Sequence, residues 1–163
     1  MTTEMTRRYG RAPRGERVHD AVPAGHWRTL TLLAALGLRG VRAARTVEAP
    51  TDGDVFLAYV EQVLAPRLQP GEVVVLDNLP AHKVAGVRAL IEARGAQLLY
   101  WPPYSPDFNP IEQAWSKIKE LLRAVKARTL PLLDDGVTAA LAAISPDNAV
   151  GWFRDCGYRI HQL

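Results

Sequence analysis

Two carboxylates stand where this sequence could do chemistry. Asp77 directly follows the apolar run Val73-Val74-Val75-Leu76, and Glu112 follows Asn109-Pro110-Ile111, with 34 residues between the two acids. Four consecutive apolar, mostly β-branched residues predict a strand buried on both faces. Open α/β sheets hold ligands just beyond the carboxyl ends of such strands, so an acid placed there can take a hard cation. The same aspartate can instead cap the turn that follows it. Glu112 has a structural alternative too. With Asn109 as N-cap and Pro110 at the first helical position, Glu112 falls at the third, a capping-box arrangement. The two roles compete, because a carboxylate oxygen bound to a cation is less free to accept a backbone N–H. The pair and its spacing say more than either member.

The elements that must position the pair follow from turn signals and apolar period. Residues 16–22 predict a short strand, and Pro23-Ala24-Gly25 a turn. Residues 27–38, with Leu30, Leu32 and Leu33, predict a buried strand, and residues 41–47 its antiparallel neighbour, so the N-terminal third reads as a meander. Thr51-Asp52-Gly53-Asp54 then offers caps for a helix whose stripe is Val55, Phe56, Tyr59, Val60, Val63 and Leu64, ended by Pro66 and Pro70-Gly71. After the strand at 73–76, a helix with Val84, Val87, Leu90 and Ile91 inward runs to Gly95. Residues 97–100 form another strand, and the proline-rich loop 102–110 leads into a long amphipathic helix through Ile111, Ala114, Trp115, Ile118, Leu121, Leu122 and Val125. Thr129 caps one more helix, and residues 147–158 form a last short one with Trp152 and Phe153. One mixed α/β sheet flanked by helices accommodates this order. The expected organisation is a core over residues 1–146, with the helix and tail of 147–163 packed on the same domain.

Composition sets the class. At 163 residues and 48% apolar content, one globular domain can bury a real core. No stretch approaches the roughly 20 apolar residues of a spanning helix, and residues 1–8 have no apolar segment that would make a signal peptide. Cys156 is the single cysteine, which excludes a disulfide framework and fits a reducing, cytoplasmic setting. The net charge of +3 is unevenly spread. Arg7, Arg8, Arg11, Arg14 and Arg17 form one cluster, and Lys117, Lys119, Arg123, Lys126 and Arg128 a second. Clustered cations favour a polyphosphate partner through counterion release, but they can equally be solvated faces.

The flanks of the two acids carry a family resemblance. Val75-Leu76-Asp77-Asn78 followed by Ala81-His82-Lys83, then Tyr104-Ser105-Pro106 and Asn109-Pro110-Ile111-Glu112, resembles the DDE domain of mariner-superfamily transposases, above all the bacterial insertion-sequence branch. The 34-residue interval matches that superfamily's Asp–Glu spacing. The resemblance implies a ribonuclease H-like mixed sheet flanked by helices, with Asp77 and Glu112 as the second and third catalytic, metal-binding carboxylates. It also implies a two-ion Mg²⁺ or Mn²⁺ site. Water attacks at the transposon end, and the freed 3′-hydroxyl then attacks target DNA. Similar transposases carry the first carboxylate on a first strand, just ahead of the segment matched here by residues 6–13. That strand is expected to be missing, and neither Glu4 nor Asp20 is expected to replace its acid. The helix-turn-helix region that reads transposon ends in this family is expected to be missing as well.

Further residues take DNA-facing roles in this reading. Asn78 either orients a metal-bound water or neighbouring carboxylate, or makes the turn. His82 and Lys83 begin the next helix, whose N-terminus favours phosphate. Ser116, Lys119 and Arg123 recur at spacings of four, three and four from Glu112, so they share its face and could line a strand entering the site. Tyr104 and Phe108 could stack a base or pack the loop, and Trp115 belongs to the core. Four histidines without ligand-like spacing argue against zinc. The partners implied are transposon-end and target DNA, with an upstream-encoded N-terminal half and a homodimer both left open. Two functions compete: a transposase fragment, inactive alone for want of its first carboxylate, and an inactive nucleic-acid-binding remnant.

Overall fold

The computed structural model describes residues 1–22, 27–103 and 105–160. Its first elements are an antiparallel hairpin, β1 (Thr31–Gly37) and β2 (Gly40–Val47), with a register irregularity between Ala35 and Leu36. Met1–Thr3 clips onto the strand's approach. The Met1 amine donates to the Leu30 carbonyl at 2.8 Å, and Thr2 bridges Thr29. The short strand expected at residues 16–22 does not form; that segment is exposed and irregular. Its run Glu-Arg-Val-His-Asp-Ala-Val has too little apolar surface to offset the entropy of ordering it. The turn expected at Pro23-Ala24-Gly25 lies outside the described residues.

Asp52 caps α1 (Gly53–Tyr59) by accepting from Val55 N–H at 2.9 Å, and the helix continues through a widened π-type stretch, Val60–Leu64, into a tighter 3₁₀ turn, Ala65–Arg67. Its stripe of Phe56, Tyr59, Val60, Val63 and Leu64 is buried as its spacing requires. β3 (Val73–Leu76) and β4 (Gln97–Tyr100) pair in parallel, joined by a 3₁₀ turn, Pro80–Lys83, and α2 (Val87–Glu92). α2 starts three residues later than the position of Val84 suggested. Gly86, at φ +100°, turns the chain first, and a Cβ there would meet Leu57 Cδ1 at 3.2 Å. Gly86→Ala should therefore cost roughly 1–3 kcal/mol, read as a lower urea midpoint at constant m-value.

α3 (Ile111–Val125), α4 (Leu130–Ala142) and α5 (Pro146–Asp155) complete the chain. Thr129 caps α4, and Ser145 forms a capping box with Asn148 at the start of α5. Two apolar clusters sandwich the hairpin. Leu33 and Ala43 face the α1 run, α2 and β4, whereas Leu30, Leu32 and Leu36 face α3 and α4. Among the described residues no helix is long and apolar enough to cross a membrane.

Among the described residues the strands do not join into one sheet. The described residues form two separate two-stranded sheets, β1–β2 and β3–β4. The β3 run is accordingly not buried on both faces: Val73 is 50% exposed and its three successors are half-buried. Residues suited to a central strand sit on an open edge because nothing described here pairs with their outer side.

Candidate functional site

β3 delivers Asp77 to its carboxyl end, and the first turn of α3 delivers Glu112. Both acids line one cavity of about 190 Å³, together with Asn78, Trp101, Pro102, Ser105, Pro106 and Asn109. Asn78 donates from its amide to the Trp101 carbonyl, tying the end of β3 to the end of β4. This is a tie between two strand ends rather than a local turn, and it places Asn78 on the wall of the cavity.

Asp77 also makes its local turn: Oδ1 accepts from Leu79 N–H at 3.0 Å. The same oxygen lies 2.6 Å from the buried His82 Nδ1, which makes no hydrogen bond among the described residues. A buried, unbonded ring nitrogen facing a carboxylate ties His82 to the carboxylate site rather than to free solvent. The predicted helix start at His82 and Lys83 is corrected. Both sit in the four-residue 3₁₀ turn ahead of α2, so no helix N-terminus offers phosphate a seat there. Lys83 instead places its ammonium 5.6 Å from the Tyr100 ring centroid.

The capping box at Glu112 is also corrected. Pro110 occupies the cap position with helical dihedrals, and no side chain caps α3. Asn109 contributes its backbone instead, its carbonyl accepting from Glu112 N–H at 3.1 Å. Glu112 is exposed in the first turn of α3, with no side-chain hydrogen bond among the described residues. Its carboxylate thus projects into the cavity from a rigid helix.

The aromatic residues of the loop pack on one another. Phe108 lies nearly parallel to Trp101 at 6.2 Å, and Tyr158 closes on Trp101 edge-on at 6.1 Å and donates to the Phe108 carbonyl. The loop-packing alternative holds for Phe108, and Trp115 is half-buried against the second apolar cluster. Tyr104 lies outside the described residues.

The second basic cluster divides. Lys117 donates to the Ala143 carbonyl and the Asn148 side chain, Lys126 pairs with Asp20, and Arg128 donates to the Thr3 and Met5 carbonyls. These three hold the fold together. Ser116 and Lys119 are exposed and Arg123 half-exposed, and none has a side-chain bond among the described residues. The pairing with Lys126 holds the Asp20 carboxyl below the usual carboxylate range. It also fixes Asp20 at the far end of α3, about 14 residues and thus roughly 21 Å from Glu112. Among the described residues no group of three acid, histidine or cysteine side chains could hold a metal. All five arginines of the N-terminal cluster are exposed on an irregular segment.

The family model of the DDE superfamily endonuclease matches residues 1–134. The chain belongs to this DDE superfamily.

Similarity to individual proteins agrees with that membership. The chain is 41% identical over 51 residues to the transposable element Tc1 transposase of Caenorhabditis elegans, covering 31% of this chain and 19% of that protein. It is 32% identical over 87 residues to the transposable element Tcb2 transposase of Caenorhabditis briggsae, covering 51% and 32%. It thus spans less than a third of the length of these relatives. Two solved structures share the fold. A Mos1 transposase paired-end complex with left transposon end superposes with TM-score 0.61 at 15% identity, and a Mos1 strand transfer complex with TM-score 0.64 at 17%. Each covers 93% of this DDE chain and 46% of the other. The fold is ribonuclease H-like, and the superfamily uses divalent metals.

Proposed function

We propose that this DDE chain is part of a bacterial insertion-sequence transposase that acts on DNA in the cytoplasm, with Asp77 and Glu112 as its metal-holding carboxylates. The observation that carries this reading is the convergence of both acids on one cavity at the carboxyl ends of β3 and β4. Hard oxygen donors there suit Mg²⁺ or Mn²⁺, which proteins hold with one or two carboxylates while water and phosphate oxygens fill the shell. Such ions activate an attacking oxygen and stabilise the leaving one in phosphodiester cleavage and strand transfer. The protein's own part is positional. Asp77 and Glu112 fix where the scissile phosphate sits, Asn78 keeps the ends of β3 and β4 together, and Ser116, Lys119 and Arg123 continue the DNA path along α3.

With two carboxylates at the cavity among the described residues, the site fits one ion and leaves a second without enough ligands. We therefore read the chain as N-terminally incomplete and inactive alone, completed by an N-terminal half and working as a homodimer on transposon ends and target. The exposed arginines support binding without cleavage, the alternative function.

DNA binding and nicking test the reading together. Binding should weaken linearly in log–log terms with salt, by a slope of about 0.9 per phosphate contacted. Lys119→Ala with Arg123→Ala should flatten that slope by roughly two such contacts. The chain alone should leave supercoiled plasmid intact in Mg²⁺ or Mn²⁺. Robust metal-dependent nicking that Glu112→Ala abolishes would overturn the proposed inactivity, and salt-insensitive binding would remove the DNA role.

A further inference from the structure

We propose that the end of α5 is a latch that grips the loop before α3 and so fixes Glu112, with Tyr158 as a positioning residue for the carboxylate pair. Its consequence for metal rests on the proposed function, whereas the latch itself does not. α5 lies wholly beyond residues 1–134, the part that the DDE family model matches.

The start of α3 needs outside support. A helix leaves its first four N–H groups without partners of its own, and no side chain caps α3. Backbone bonds close the turn into it, Glu112 N–H to the Asn109 carbonyl and Ala114 N–H to the Pro110 carbonyl at 3.4 Å. The loop ahead forms a wall of the cavity through Pro102, Ser105, Pro106 and Asn109, and carries the 3₁₀ turn Pro106–Phe108. Short loop turns open locally at little cost, so Glu112 is only as fixed as whatever grips the loop.

The end of α5 grips it at two points. Cys156 Sγ accepts from Gln113 Nε2 at 3.7 Å, one residue after Glu112. Tyr158 Oη donates to the Phe108 carbonyl at 3.1 Å, four residues before it. Burial pushes the Cys156 thiol up, which keeps it a neutral acceptor at neutral pH. The two contacts bracket the acid. Rings reinforce the second: Tyr158 meets Trp101 edge-on, and Trp101 lies nearly parallel to Phe108. The Trp101 carbonyl takes the Asn78 amide, so the same cluster reaches the end of β3 beside Asp77.

The backbone delivers Tyr158 to this place. Gly157, at φ +86°, donates to the Arg154 carbonyl at 2.9 Å, and Tyr158 N–H donates to the Phe153 carbonyl at 3.0 Å. Those two bonds make a Schellman ending, which a left-handed glycine closes. Its accompanying apolar contact is Phe153 against Tyr158, with ring centroids 5.2 Å apart. At the other end of α5, Asn148 accepts from Lys117 of α3 at 2.6 Å. The helix is thus pinned at both ends, and Tyr158 is a fixed arm rather than a loose tail.

The test uses the full chain and Tyr158→Phe, which keeps the ring and removes only the hydroxyl. Amide exchange at Asn109 and Glu112 should quicken about two- to tenfold, the weight of one neutral hydrogen bond, with Leu133 and Val137 of α4 unchanged. Mn²⁺ affinity should fall at least about twofold at an unchanged melting temperature. Gly157→Val is the stronger variant, expected to act by about tenfold on both readouts. A Cβ there meets nothing within 4 Å, so only the backbone turn is disturbed. In a Glu112→Gln background Tyr158→Phe should change Mn²⁺ affinity no further, because its effect passes through that acid. Arg154→Ala, exposed on α5, should move neither readout. Unchanged exchange at Asn109 and Glu112 in Tyr158→Phe would overturn the latch. So would an equal rise across α4, the mark of ordinary packing. Faster exchange with unchanged affinity, in a chain whose affinity Glu112→Gln does lower, would overturn the positioning role. If Glu112→Gln itself leaves affinity unchanged, the metal reading falls and the exchange pattern alone judges the latch.

Discussion

Ile118→Ala should lower the stability of this chain by about 2–5 kcal/mol, the range for truncating a fully buried aliphatic side chain. Ile118 is 0% exposed and lies between Ala114 and Leu122 on the one buried seam of α3. That seam packs on Leu133 and Val137 of α4, within the cluster that also takes Leu32 and Leu36 from β1. Truncation removes contacts with two elements at once, and a rigid neighbourhood cannot close the gap completely. At roughly 2–4 °C per kcal/mol for a chain of this size, the loss is easily seen in a melting curve. Ser116→Ala, on the exposed face of the same helix, should stay within about 0.5 kcal/mol. A loss below about 1 kcal/mol at Ile118 would mean that α3, and with it Glu112, is held by something other than this seam.

Most of the helices and the β1–β2 hairpin were legible in the sequence because local rules decide them. The stripe of α1 repeats at helical spacing, Asp52 and Thr129 are capping residues at helix starts, and the β-branched run 73–76 forms a strand. What the sequence did not reveal depends on geometry a few residues wide or on pairing at a distance. Pro110 takes the cap position that Asn109 was expected to fill, which shifts Glu112 out of a capping box by a single residue. The positive φ of Gly86 separates His82 and Lys83 from the helix they were expected to begin. No local signal states that Lys117, Lys126 and Arg128 bind carbonyls, an amide and a distant acid, since that follows only once α3 packs on its neighbours. The spacing of Asp77 and Glu112 pointed to the pair, but their meeting in one cavity depends on β3 and β4 lying side by side. The open edge of β3 is the sharpest disagreement, because a central-strand sequence is found without a second neighbour among the described residues.

Asp77→Asn and Glu112→Gln should each weaken Mn²⁺ binding at least about tenfold while leaving the melting temperature nearly unchanged. Each replacement keeps the shape and removes one negative charge. Two unit charges 4 Å apart interact by about 1 kcal/mol in water and about 4 kcal/mol near a protein surface, and a divalent cation doubles either figure. A loss of about 1.4 kcal/mol is already tenfold in affinity, so even the solvent-screened case clears the threshold. Stability should hold for different reasons at the two positions. The amide that replaces the Asp77 carboxylate retains an oxygen for Leu79 N–H, the bond that Asp77 now accepts. Glu112 makes no side-chain hydrogen bond among the described residues, so only its weak attraction to the helix N-terminus is lost, about 0.3–1 kcal/mol. The double variant should bind more weakly than either single variant, because each acid contributes its own attraction to the shared ion. Calorimetric titration of Mn²⁺ into the four proteins, with a melting curve for each, separates the possibilities. Unchanged affinity in both single variants would leave Asp77 as a turn former and Glu112 as a charged helix start, and no metal-holding role would remain for either.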